Sequence, residues 1–154
     1  MGEREARSAA LDRAEIVAVL HRYCVAVDDS DEASLRSCFA PGASASFEGH
    51  LVEGGPDAIA HFLLRALVAN PTIDIHAPRF RRHYATTADV RVEGDVADAT
   101  SYIVVRLVDD GPEGPKLFTR GLRYRDRFVR TAAGWQIESR VHRLDWMTTE
   151  LLES

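Results

Sequence analysis

The sequence predicts an α+β fold, with helices leading into a strongly curved, mostly antiparallel sheet that wraps into a cone. Three observations carry this reading. Apolar residues recur at helical spacing in the first part of the chain, strand character dominates after Pro78, and the strands are joined by short turns. The 154 residues, 45% of them apolar, suffice for one domain with a substantial core. That domain is expected over 8–147, with 1–7 and 148–154 as flexible termini.

The first helix follows from Leu11, Ile16, Val19, Leu20, Tyr23 and Val27, which form one apolar stripe over 11–27 and end near Asp28-Asp29-Ser30. A short second helix begins with Ser30 or Asp31 as N-cap, carries Leu35, Cys38 and Phe39 on its apolar face, and stops at Pro41-Gly42. Ala43 to Glu48 reads as a strand, and Gly49 turns the chain into His50-Leu51-Val52. Gly54-Gly55-Pro56-Asp57 opens a third helix over 57–69, burying Ile59, Phe62, Leu63, Ala66 and Leu67. Four long strands follow. Arg79–Val92 turns at Glu93-Gly94-Asp95 into Val96–Val108, whose alternation Ala97, Ala99, Ser101, Ile103, Val105, Leu107 marks a face turned to the core. A loop over 109–115 precedes Lys116–Arg130, and Ala133-Gly134 turns into Trp135–Trp146.

Composition narrows the function. The formal charge of −5 disfavours an unaided nucleic-acid footprint. No apolar run reaches the ~18–20 residues of a membrane span, and the charged N-terminus has no signal-peptide core. Cys24 and Cys38 read as buried free thiols of a cytoplasmic protein. The six histidines show no ligand spacing, so neither a metal nor a cofactor is expected. A Gly-rich phosphate loop, a Gly-x-Ser-x-Gly elbow and a nucleophilic cysteine constellation are all missing. The arginine run 120, 123, 125, 127, 130 reads as a solvated sheet face or a subunit contact, with 123, 125 and 127 opposite Leu122, Tyr124 and Phe128.

Two residues carry chemical promise. Asp28 stands at a helix C-terminal end, where the macrodipole disfavours an anion. His83 lies in a strand within Arg81-Arg82-His83-Tyr84, and a carboxylate beside such an imidazole would fix which nitrogen accepts a proton. Taken singly, each also has an ordinary structural reading.

The segments Tyr23-Cys-Val-Ala-Val-Asp28-Asp29-Ser-Asp31, Cys38-Phe39-Ala-Pro-Gly-Ala, Arg82-His83-Tyr84, Val92-Glu-Gly94-Asp95-Val-Ala97, Gly121-Leu-Arg-Tyr124-Arg-Asp126-Arg-Phe128 and Gly134-Trp135-Gln-Ile137-Glu-Ser-Arg140-Val-His-Arg-Leu144-Asp145-Trp146 resemble the SnoaL-like group of the nuclear-transport-factor-2-like superfamily. The resemblance covers about residues 8–147 and specifies fold better than reaction, because this superfamily hosts several chemistries and non-enzymes. It implies a sheet bent around an apolar pocket closed by the first helix. It also implies that Asp28 pairs with His83, with Tyr23 donating to a carbonyl or departing oxygen and Arg140 stabilising an anion. Phe47, near where some dehydratases carry a pocket Tyr, joins Phe62, His142 and Trp146 as substrate-contacting candidates. Arg140 shares strand parity with Gln136, Glu138 and His142, opposite Trp135, Ile137 and Val141, and so points into the cone mouth or into solvent.

The activity implied is that of a lyase or isomerase working without a cofactor, chiefly a dehydratase of a hydrophobic cyclic polyketide- or steroid-like molecule. A homodimer through the sheet face is expected, with no nucleic-acid or membrane partner. The rival readings are a non-catalytic small-molecule binder or assembly module on the same cone, and a small subunit partnering an oxygenase.

Overall fold

A computed structural model describes residues 2–66, 75 and 78–152. Its order is α1 (Glu3–Asp29), α2 (Glu32–Ser37), β1 (Phe39–Phe47), β2 (His50–Val52), α3 (Gly55–Ala66), β3 (Phe80–Glu93), β4 (Val96–Gly111), β5 (Gly114–Thr131) and β6 (Gly134–Leu151). The α1 helix and the last strand extend past 8 and 147, where the sequence placed the domain's limits. Leu67, the expected end of the third helix at 69, and His76 lie outside the described residues.

The strands form one curved six-stranded sheet in the order β2-β1-β6-β5-β4-β3, antiparallel except where β1 runs parallel to β6. The sheet is not closed, so β2 and β3 are its edges. All six inward residues expected on β4, from Ala97 to Leu107, are buried. They face α1, which contributes Ile16, Val19, Leu20, Tyr23 and Val27 to the same core, while Leu11 lies 58% exposed on solvent.

The end of α1 is built locally. Ser30 takes a left-handed φ of 54°, the Ser30 N–H donates to Val27 O at 3.3 Å, and the Asp31 N–H donates to Ala26 O at 2.9 Å. These two bonds close a Schellman motif, normally the place of a glycine. Of the two expected N-caps, Asp31 is the one observed, accepting from Ser34 N at 3.1 Å. The α2 helix ends before Cys38, so Phe39, Pro41 and Gly42 belong to β1.

Two irregularities in β6 decide which side chains face inward. Opposite β5, Arg127 pairs with Ser139 and Phe128 with Ile137, which leaves Glu138 as an extra residue. Leu122 pairs with Leu144 and Gly121 with Trp146, which leaves Asp145 extra. Each extra residue is a bulge that inverts the alternation downstream. Ile137, Arg140, His142 and Leu144 therefore all turn toward the core side, whereas Trp146 turns to the outer face. There its ring covers Gly121, where an added Cβ would lie 2.1 Å from the indole nitrogen. Among the described residues, no helix is long and apolar enough to cross a membrane.

Candidate active site

Between the C-terminal end of α1, α3 and the inner face of the sheet lies a cavity of about 860 Å³. Much of its wall is apolar, from Val27, Phe47, Phe62, Leu63, Val105 and Leu122, and histidines and arginines complete it, a mixture of apolar wall and polar groups that suits small organic ligands.

His83 stands in this wall and Asp28 lies directly behind it. The Asp28 carboxylate accepts twice from the same residue: Oδ1 lies 2.6 Å from His83 Nδ1, and Oδ2 takes the His83 backbone N–H at 2.9 Å. Both side chains are nearly buried, at 8% and 7% exposure. An ionised carboxylate on Nδ1 selects the tautomer with the proton there, and Nε2 then carries the lone pair.

Arg81, two residues earlier on the same face of β3, resolves the electrostatic anomaly of an anion at a helix C-terminus. Its Nη2 donates to Val27 O at 2.7 Å, Asp28 O at 3.1 Å and Ser30 Oγ at 3.3 Å, and its Nε lies 3.8 Å from Asp28 Oδ1. The guanidinium thus satisfies the last carbonyls of α1 and offsets the carboxylate's charge.

Burial holds the His83 imidazole below its ordinary pKa; Asp28 pulls the other way, while the cations Arg81 and Arg120 reinforce the lowering. Tyr23 also lines the cavity, and burial pushes its phenol up to about 12 against the pull of Arg140, so it remains a hydrogen-bond donor. Burial likewise raises the Cys24 and Cys38 thiols to about 11, far from nucleophilic thiolates.

Of the eight residues singled out in the sequence, the structure brings Tyr23, Phe47, Phe62, His83 and His142 into the cavity wall, with Asp28 behind His83. Trp146 is on the outer face, turned there by the bulge at Asp145, and does not contribute to this wall. Arg140 faces inward but stops behind the wall. It is 1% exposed, and its Nε and Nη2 each donate to an Asp126 carboxylate oxygen at 2.7 Å. Its guanidinium carbon sits 4.1 Å and 4.2 Å from the ring centres of Tyr23 and Tyr124. Burial opposes its charge, yet Asp126 more than restores it and raises its pKa. The cation therefore underpins two aromatic rings and points neither into the cone mouth nor into solvent, a correction to the direction expected for it.

Sequence reasoning missed Arg81, Arg120 and Glu48. Parity with His83 is a usable signal for Arg81. Arg120 shares the inward parity of Leu122 and Tyr124 but is hidden in an arginine run. Of its neighbours in that run, Arg127 does face outward and pairs with Asp98 and Glu138, while Arg130 pairs with Asp12 of α1 and lies over the Trp135 ring. Among the described residues, no group of three or more His, Cys, Asp or Glu is placed to hold a metal ion.

A family profile described as a SnoaL-like domain matches residues 8–141. The chain belongs to the SnoaL-like family. Solved structures agree on the fold of this SnoaL-like domain. A nuclear-transport-factor-2-like protein with a cystatin-like fold from Novosphingobium aromaticivorans is 29% identical, with 92% of this chain and 87% of that one covered and a TM-score of 0.72. A protein of unknown function from Mycobacterium tuberculosis is 25% identical over 88% of this chain and 77% of its own, with a TM-score of 0.71. The hexachlorocyclohexane dehydrochlorinase LinA-type3 from Novosphingobium barchaimii is 20% identical over 92% and 94%, with a TM-score of 0.71. No curated protein sequence matches the chain.

Two predictions follow from the buried charges. Asp126→Ala leaves the Arg140 cation without its partner and should cost about 3–5 kcal/mol in urea unfolding, while the double replacement Arg140→Met/Asp126→Leu should cost far less. The second concerns pH. Burial and the charges of Arg120 and Arg140 hold His142 down to about 3, and His83 is lowered as well. The unfolded chain, with imidazole pKa near ~6.5, then binds these protons first, so their contribution to stability is intact above that pH. It is lost as pH falls from about 6.5, at up to about 1.4 kcal/mol per pH unit for each histidine. His142→Gln should flatten the fall in urea midpoint between neutral and acid pH.

Proposed function

We propose that this chain is a cytoplasmic, cofactor-independent lyase or isomerase, chiefly a dehydratase, acting on a hydrophobic cyclic small molecule of polyketide or steroid type. The observation that carries this is the His83 imidazole in the wall of an apolar cavity, its Nδ1 held by Asp28 at 2.6 Å. A neutral imidazole so oriented is a general base at neutral pH.

In this reading His83 Nε2 takes a proton from a carbon next to the substrate's carbonyl, and the electron pair moves into the carbonyl oxygen. Asp28 keeps the tautomer and stabilises the imidazolium that forms. In a dehydration the enolate expels the oxygen on the next carbon, which leaves as water after accepting the proton from His83. In an isomerisation the imidazolium returns that proton to a different carbon. Tyr23 hydrogen-bonds the carbonyl or the departing oxygen. Arg140 is a positioning residue whose charge holds the Tyr23 ring from behind.

The double acceptance by Asp28 also suits a merely structural tie between α1 and β3, and kinetics separate the two. Deuterium incorporation into α-tetralone in deuterium oxide, followed by NMR, reads proton abstraction directly. Wild-type protein should catalyse the exchange, with a rate level above neutral pH that falls only below the ordinary imidazole range, because burial keeps His83 unprotonated. Asp28→Asn should fold normally yet lose at least about a hundredfold. A rate near wild type in that variant, or no exchange by wild-type protein, ends the proposal. His83→Ala should abolish exchange while retaining affinity for the ketone.

We further propose that the outer sheet face, where Tyr84, Tyr102 and Trp146 are each about half exposed, joins two copies in a homodimer. Light scattering should give about twice the 17.1 kDa of one chain; a concentration-independent mass of one chain would contradict it.

A further inference from the structure

The cavity has a second polar cluster that the base reading does not use. Arg120, on β5, lines the wall at 8% exposure, and its Nη2 donates to Glu48 Oε1. Its Nε is buried without a hydrogen-bond partner. Glu48 is one of the two central residues of the β1–β2 hairpin, with φ of 51°, followed by Gly49 at 91°. Such two-residue turns favour Asn, Asp or Gly at both positions because φ is positive. A glutamate there is an outlier whose side chain meets the cavity arginine.

The same turn is tied to His142, whose carbonyl accepts the Glu48 N–H at 3.0 Å. His142 lines the cavity at 9% exposure, and its Nδ1 is buried with no partner. Burial and the neighbouring arginines keep the ring uncharged. Unlike His83, it has no carboxylate on its ring, so it cannot serve as a second base of similar strength near neutral pH.

These groups sit on a continuous run of rings. His50 stacks on Phe62 at 4.9 Å and 9°, and Phe62 stacks on Phe47 at 5.2 Å and 23°. Phe47 meets His142 at 5.7 Å, His142 meets Tyr124 at 5.3 Å, and Tyr124 meets Tyr23 at 5.8 Å. All six rings line the cavity. A wall of this kind presents π faces and edges to a flat ring system.

We propose that Arg120, restrained by Glu48 and flanked by His142, is a subsite for an oxygen substituent on an aromatic or fully conjugated ring that packs along this wall. A phenol, enol or carboxylate oxygen would take the arginine's donors, and the restraint by Glu48 sets the preference between neutral and anionic forms. This rests on the cavity being a small-molecule site, as proposed above, but not on His83 being a base.

Calorimetric titration with three naphthalene probes of one shape tests it: β-naphthol, β-naphthoate and β-methylnaphthalene. Wild-type protein should bind β-naphthol at least tenfold more tightly than β-methylnaphthalene. Arg120→Met should bring the two together, and His83→Ala should leave the difference in place. Glu48→Gln, which frees the guanidinium while keeping a polar side chain, should tighten β-naphthoate several-fold; it stands as a separate arm should Arg120→Met fail to fold. Three results overturn the proposal: no binding of any oxygenated probe at millimolar concentration, discrimination that survives in Arg120→Met, or an unchanged β-naphthoate affinity in Glu48→Gln. Loss of discrimination in His83→Ala would place the oxygen at the Asp28–His83 pair and overturn it too. Proton exchange by His83 is read separately, so either idea can fail without the other.

Discussion

The site depends on one carboxylate placed where helix electrostatics alone would reject it. Asp28 ends α1 among carbonyls that carry partial negative charge, and only the inward face of β3 makes the position tenable. His83 supplies two donors to the carboxylate, and Arg81 supplies a cation to the carbonyls around it. The three residues act together. Without Arg81 the helix end and the carboxylate repel; without Asp28 the imidazole has nothing to fix its tautomer. The strand spacing of two residues puts Arg81 and His83 on one face, so a single pleat of β3 both anchors the helix and orients the imidazole.

A second buried charge holds the same helix at Tyr23. Arg140 and Asp126 are a directly opposed cross-strand pair, each nearly inaccessible to solvent. Removing two charges from water is unfavourable, and even bidentate geometry recovers that cost only in part. What the pair provides is position. The guanidinium lies against the rings of Tyr23 and Tyr124, which cross at 87°, so the α1 tyrosine that faces the cavity is seated on a fixed cation. Five residues separate Tyr23 from Asp28, and the helix carries the constraint from one to the other.

Most of the architecture was legible in the sequence because it rests on periodicity. The stripe from Ile16 to Val27 and the alternation from Ala97 to Leu107 each bury as spaced. The Asp28–His83 contact joins residues 55 apart, and no local pattern contains it; it entered only through the resemblance of whole segments to a family. Arg140 and Trp146 show where alternation fails. Parity counted along β6 sets Arg140 apart from Ile137 and groups Trp146 with His142. Two bulges, at Glu138 and Asp145, bring Arg140 to the side of Ile137 and send Trp146 to the other face. A bulge depends on how the neighbouring strand pairs, and that pairing leaves little mark on the composition of the strand itself. Arg120 was obscured differently, by a run of arginines in which Arg123, Arg125 and Arg127 have the opposite strand parity.

Two of the histidines that line the cavity, His83 and His142, show how one fold can give identical side chains different surroundings. His83 and His142 are both buried and both disfavoured as cations, but a carboxylate touches only His83. That contact means a proton gained by His83 is answered by an adjacent negative charge, while a proton gained by His142 would meet Arg120 and Arg140. Of these two rings only His83 has an anion beside it, and His142 is left as a neutral polar surface beside an aromatic wall. The distinction arises from topology: β3 runs beside the end of α1, where Asp28 waits, whereas β6 carries Arg140 itself and pairs with β5, which carries Arg120. The charge each of these two rings can carry is set by the neighbours that the sheet order brings to it.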